Sequence, residues 1–303
     1  ILVNPKSILQ YFVLILALSN PSTLLIVERL GFDIFVFLFF IFVNFNKIYF
    51  LNWIMIFCLT FVKVYPAILG LNIFLENIER TIKKNLILIL CLTVISIIYF
   101  YLNFDKYMVS IIKGASNSGN AGFHYLFSLN TLPKILKNIF HINYILSIIF
   151  IYLFFIFFIK YICNKFNKDF KIICEKIFSD KGKLFLLSGC VTLFCFIAFS
   201  NYAYREIFIL LLLPYLLILK DENDNKFINA IIFLFIFRFL FLFPYAFINI
   251  HDDISYFNEA RIFSSKFLIV VAIKGLFDFL LMSVVASVIY KATKKFLNYK
   301  KYN

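Results

Sequence analysis

Six stretches of this chain are predominantly apolar over about the length of a bilayer-crossing helix: Leu86 to Leu102, Tyr144 to Ile162, Leu184 to Ser200, Ala203 to Leu219, Phe227 to Phe243 and Phe267 to Tyr290. A hydrocarbon core about 30 Å thick takes about 20 helical residues, each rising about 1.5 Å. Three weaker regions come earlier. Ile8 to Leu18 stops at Ser19-Asn20-Pro21, Phe32 to Phe45 starts after Gly31, and Leu51 to Leu75 is broken at Pro66. Proline lacks a backbone donor and pushes the residue before it out of helical geometry, so a bend near Tyr65 has a local cause. The expected architecture is all-α: a polytopic transmembrane helical bundle with short paired helices near the amino terminus and six longer spans. No repeat or low-complexity linker divides the chain, so residues 1–303 are expected to form a single transmembrane domain.

Composition agrees. Hydrophobic residues make up 63% of the chain and charged residues 15%, with mean hydropathy +0.93, whereas soluble domains carry about a quarter charged residues. The 44 Phe beside only 8 Gly reflect compositional bias, and Phe stripes carry no functional weight. The six cysteines lack the tight spacing of a zinc or redox site.

A net charge of +14 raises the question of nucleic acid, but most of the basic residues are topology signals. Placing Lys6, Lys47, Arg80 to Lys84, Lys160 to Lys183, Lys220 with Lys226, and Lys291 to Lys301 on one face collects 19 of the 30 basic residues, and six lie opposite. The expected partners are membrane lipids, with no nucleic acid.

Five charged spots remain within or beside the spans: Glu28, Arg29 and Asp33; Lys63; Arg205 and Glu206; Arg238; and Lys274 with Asp278. Intramembrane charges are costly and tend to face a polar cavity. By the assigned topology the first three converge near one leaflet. Basic groups beside apolar walls suit a lipid-linked phosphate, with arginine gripping two oxygens and lysine supplying a point charge. Lys63, Arg205 and Arg29 are the candidates for that role, and Tyr65, Tyr204 and Asn201 for substrate contacts. Glu28 and Asp33 are weak catalytic candidates, since a carboxylate in a dry site can be tuned to act as a base. Internal ion pairing competes: Arg29 with Asp33, and Arg205 with Glu206 or with another span. No cofactor is required. His251-Asp252-Asp253 has groups suited to a divalent cation, although a solvated acidic turn is the commoner role of such a string.

Three strings carry a family likeness: Ser19-Asn-Pro-Ser-Thr-Leu-Leu-Ile-Val-Glu28-Arg29-Leu-Gly31-Phe-Asp33, Lys63-Val-Tyr65-Pro66 and Asn201-Tyr-Ala-Tyr204-Arg205. Together they resemble the family 87 glycosyltransferases of the glycosyltransferase C superfamily, in order from about Ser19 to Pro214. The first string departs from the family's Glu-Arg-Gly-Asn-x-Asp at Leu30-Gly31-Phe32. The resemblance implies inverting transfer of a sugar from a polyprenyl phosphate to a glycan or lipid acceptor on the extracytoplasmic face, as at the periplasmic side of a bacterial inner membrane. It also implies an acidic catalytic residue in the first outer loop. With Ile1 rather than Met at the start, that loop is expected to precede the chain, which then reads as amino-terminally truncated. Two alternatives handle the same lipid-linked sugars: an O-antigen polymerase or ligase, and a non-enzymatic transporter or flippase.

Overall fold

Backbone that leaves water must satisfy its own hydrogen bonds, and the described residues do so almost entirely with helices. The computed structural model describes residues 5–21, 23–24, 32–46, 48–62, 68, 94–95, 98–99, 101–105, 126–197, 201–222, 225–251, 255–257, 260–262 and 265–302. Its helices are α1 (Ile8–Ser19), α2 (Phe32–Phe45), α3 (Tyr49–Val62), α4 (Thr131–Phe140), α5 (Tyr144–Lys165), α6 (Asn167–Glu175), α7 (Asp180–Ile197), α8 (Leu213–Glu222), α9 (Lys226–His251) and α10 (Ser265–Tyr302). A 3₁₀ helix, Ala203–Leu212, runs directly into α8. The class is all-α as expected, with two short antiparallel ladders beside the helices. Strand β1 (Leu126–Phe127) pairs with β2 (Asn201–Tyr202), and β3 (Ser255–Phe257) pairs with β4 (Ala260–Ile262).

Among the described residues two helical stretches, Tyr144–Lys165 and Ile269–Lys295, are long and apolar enough to cross a membrane. The early apolar helices α1, α2 and α3 are shorter, as their sequence breaks require. Ser7 caps α1 by accepting from the Gln10 amide, and α1 ends where Asn20 turns extended before Pro21. Helix α3 ends at Val62, and the expected turn at Lys63 to Pro66 lies outside the described residues. So does most of Leu86 to Leu102.

The expected single span from Ala203 to Leu219 is instead two helices of different winding. Pro214 bears on the junction. It offers no amide to the carbonyl of Leu210, and its ring collides with that carbonyl in α geometry, so a regular α-helix cannot run unbroken through this turn. A 3₁₀ run of this length is uncommon, and at about 2 Å per residue it stretches the element further than an α-helix would. From Glu206 to Leu217 nearly every residue is buried, which makes this the central element of the bundle. An element apolar on all sides belongs inside. Helix α7 packs along the 3₁₀ helix and α10, while α9 packs on α10 and α8, and α5 packs on α10.

Gly189 on α7 permits the close approach to α10: a Cβ there would lie 3.0 Å from Val285 Cγ1 and 3.3 Å from Ile289 Cδ1. Buried hydroxyls along the same interface are satisfied by their own helices. Ser188 donates to the Leu184 carbonyl at 2.7 Å, Thr192 to Ser188 at 2.6 Å, and Ser283 to Phe279 at 2.7 Å. Among the described residues, large apolar side chains are turned outward on two of the helices. Ile8, Ile15, Phe150, Ile156 and Phe157 are all more than 60% exposed on α1 and α5.

One end of the bundle is tied together by polar contacts. Gln10 Nε2 donates to Asp221 at 2.7 Å, Asn44 Nδ2 to the Asp180 carbonyl at 2.9 Å, and Asn225 Nδ2 to Asp169 at 2.9 Å. Lys291 reaches Asn167 at 2.7 Å and Lys295 the Cys174 carbonyl at 2.9 Å. Helix α6 is pinned here through buried Phe170, Ile173 and Cys174, and its Ile173 carbonyl accepts from the Tyr215 hydroxyl.

Replacing Gly189 with Leu should push α7 off α10 and cost about 1–3 kcal/mol, seen as a lower midpoint of thermal unfolding in detergent, whereas Gly189→Ala should cost less. Burial pushes the Cys174 thiol up to about 11, against the opposing pull of Lys295 and Lys291. In the folded protein at pH 8, Cys174 should therefore react with a maleimide far more slowly than in the unfolded chain, as read by peptide mass spectrometry.

Candidate functional site

Four of the charged residues singled out within the apolar spans meet in the interior. Glu206 comes from the 3₁₀ helix, Arg238 from α9, and Lys274 and Asp278 from successive turns of α10. Arg238 Nη2 donates to Glu206 Oε2 at 2.6 Å and its Nε to Asp278 Oδ1 at 2.7 Å. Lys274 Nζ donates to Glu206 Oε1 at 2.9 Å and to Asp278 Oδ2 at 2.7 Å. Each cation thus touches both carboxylates, and each carboxylate uses one oxygen per cation. The result is a closed, electrically neutral ring in which no side chain is more than 4% exposed.

An aromatic lid covers the ring. The Phe127 ring centre lies 5.8 Å from Arg238 Cζ and 5.9 Å from Lys274 Nζ, and Phe239 lies 5.8 Å from the guanidinium. Arg238 Nη1 is buried without a hydrogen-bond acceptor, so these electron-rich faces offer it a weaker substitute. Phe127 is itself fully buried and belongs to β1, where it pairs with Asn201 of β2. Just beyond, the Leu129 amide donates to the Phe196 carbonyl at 2.8 Å, and the Tyr152 hydroxyl donates to the Ile197 carbonyl at 2.8 Å. The short stretch from Asn201 to Arg205 is therefore held at both ends, by the ladder at its first two residues and by the ion pairs of Glu206 after it.

The residues proposed from sequence fall into two groups. Glu28, Arg29, Lys63 and Tyr65 lie outside the described residues. Asp33 opens α2, Asn201 is in β2, and Tyr204 and Arg205 are in the first turn of the 3₁₀ helix, all placed by backbone alone. Sequence reasoning named Glu206, Arg238, Lys274 and Asp278 as interior charges without pairing them with one another. The four-residue spacing of Lys274 and Asp278 was a readable signal for one contact. Nothing in the sequence announces that Glu206 meets Arg238.

The ring has little capacity to bind a phosphate. Both cations are already engaged by two carboxylates within 2.9 Å, and an incoming anion would have to displace one of them. Its chemistry is that of a clamp. Among the described residues no group of three His, Cys, Asp or Glu is arranged to hold a metal ion. Comparison with known protein families, curated proteins and solved structures finds no match for this chain.

Removing one partner leaves an uncompensated buried charge, which costs about 3–5 kcal/mol, whereas replacing an ion pair by well-packed apolar groups is often neutral. Lys274→Leu or Asp278→Leu alone should each destabilise the protein by roughly that amount. The double variant Lys274→Leu/Asp278→Leu keeps the Arg238 pair with Glu206 and should lose less than the two single losses added together. Unfolding midpoints of the four proteins in one detergent form the double-mutant cycle that checks this.

Proposed function

We propose that this chain is a polytopic membrane enzyme that transfers a sugar from a polyprenyl-phosphate donor to an acceptor on the extracytoplasmic side. The membrane part of the reading rests on two bilayer-length apolar helices, an apolar outer surface and an interior that holds charge. Lysines of the 160–183 segment, Lys220, Lys226 and Lys291 to Lys295 gather at the polar-contact end, which this reading assigns to the cytoplasm. The ladder of β1 and β2 then faces outward.

The observation that carries the catalytic reading is the double restraint on Asn201 to Arg205, the third of the family-like strings. A fixed backbone beside the outer end of a bundle suits residues that must hold a charged headgroup while its tail lies along the helices. In the proposed reaction a carboxylate base takes the acceptor hydroxyl proton, the freed oxygen bonds to the anomeric carbon with inversion, and the carbon–oxygen bond to phosphate breaks. Arg29, Lys63 and Arg205 stabilise the charge that collects on the departing lipid phosphate. In this reading Asn201, Tyr65 and Tyr204 contact the substrate, and Glu28 and Asp33 are the candidate carboxylates of this chain for assisting proton transfer.

One observation favours a second reading. A neutral ring of four buried charges joining the 3₁₀ helix, α9 and α10 is a device that a transporter for polyprenyl-linked sugars would also use, as an element whose pairs exchange between states.

Membranes carrying the full-length protein should transfer radiolabelled sugar from a polyprenyl phosphate to an extracted acceptor, and Lys63→Ala or Arg205→Ala in it should abolish transfer without lowering the amount of membrane-inserted protein. Wild-type transfer in both variants would reject their roles. Translocation of the lipid-linked sugar without transfer would replace the enzyme reading with the transporter.

A further inference from the structure

We infer that the end of the bundle formed by the close of α5, by α6 and by the polar part of α10 is a docking surface for anionic phospholipid headgroups. The inference rests on the membrane reading above and adds a partner to it.

Both bilayer-length apolar stretches stop at this level, one at Lys165 and the other at Lys295. Contacts from Lys291 and Lys295 to α6 hold the two ends beside each other. Exposed tyrosines mark the same depth: Tyr161, 53% exposed, and Tyr290, 56% exposed, each on the last apolar turn before a lysine. An amphipathic ring there sits with its body in acyl chains and its hydroxyl among headgroups. The Tyr161 hydroxyl accepts from Lys165 Nζ at 3.1 Å, which holds that ammonium at the same level.

Charge at this end is uneven. Residues 160–183 hold seven lysines against three carboxylates. Of the acidic groups facing this region, Asp169 accepts from Asn225, Asp221 from Gln10, and Glu222 pairs with Lys176 at 2.8 Å, while Glu175 and Asp180 are exposed and offset part of the lysine charge. Lys160, Lys168, Lys171 and Lys294 are exposed, and none has an ion-pair partner among the described residues. Helix α6 explains the arrangement. Burying Phe170, Ile173 and Cys174 against the bundle turns Lys168 and Lys171 outward. These ammonium groups are spread along a surface rather than gathered round a cavity, so they fit a layer of headgroups better than one free phosphate. Each lysine near an anionic leaflet contributes about 1 kcal/mol of attraction, screened by salt.

The test uses the full chain in nanodiscs of phosphatidylcholine with or without a quarter phosphatidylglycerol. Lipid retained through delipidation is read by native mass spectrometry and stability by thermal unfolding. Wild type should retain phosphatidylglycerol preferentially and unfold at a higher temperature when it is present, and high salt should weaken both effects. The variant Lys168→Gln/Lys171→Gln/Lys294→Gln should lose about fivefold in relative retention per lysine removed while unfolding as wild type does in pure phosphatidylcholine. Lys134→Gln/Lys137→Gln, on α4, should keep the full preference. Equal retention of the two lipids by wild type, an undiminished preference in the triple variant, or an equal loss in the α4 variant would each overturn the proposal. Inorganic phosphate at matched ionic strength should not raise the unfolding temperature; an equal rise would reassign the surface to free anions. A chain that leaves the membrane fraction without detergent would instead overturn the membrane reading.

Discussion

Four full charges buried among phenylalanines are tolerable only because they close on one another. Glu206, Arg238, Asp278 and Lys274 form a ring of four contacts between 2.6 and 2.9 Å, and its neutrality removes the long-range field that a lone ion would project into a low-dielectric interior. Geometry follows from this. Because each carboxylate must reach both cations, the 3₁₀ helix, α9 and α10 cannot slide past one another without leaving a charge bare. The apolar packing around the ring is nondirectional and would accept several registers. The ring accepts one, and so acts as the registration pin of the bundle.

The rest of the molecule arranges itself around that pin as a membrane-adapted protein would. Apolar side chains of α1 and α5 face outward, where water would penalise them and acyl chains would not. Inside, cohesion comes from close approach at Gly189, from hydroxyls that bond to their own helices, and from aromatic contacts such as Phe155 with Phe279 at 5.3 Å. The tight 3₁₀ winding before Pro214 fits the same scheme, since it carries Glu206 to the ring while leaving Leu213 to Leu217 buried in ordinary helical geometry.

For the proposed chemistry, the ring matters through what it holds rather than through what it binds. Its cations are engaged, yet Glu206 directly follows Arg205, and Phe127 above the ring pairs with Asn201. A headgroup site needs side chains on a backbone that does not drift, because a misplaced contact loses much of its value in the transition state. The ladder and the ion pairs supply such a frame at the end of the bundle away from the lysine-rich one. In the proposed reading the two ends divide the work, one recognising the donor and the other seating the protein against anionic lipid.

Much of the helical frame was legible in the sequence because hydrophobic run length and proline act locally. Tyr144 begins α5 and Phe32 to Phe45 is α2, as apolarity and a preceding glycine indicated. The break within Ala203 to Leu219 was missed, although Pro214 was its visible sign: a hydropathy reading is blind to how tightly a helix winds. Of the candidate site, the sequence supplied the list of interior charges and the one-turn relation of Lys274 to Asp278. What pairs Glu206 with Arg238 and places Phe127 over both cations was decided by tertiary structure alone. Those contacts join residues 32 positions apart or more, and partners that far separated are chosen by how helices pack together, which no local pattern of residues encodes.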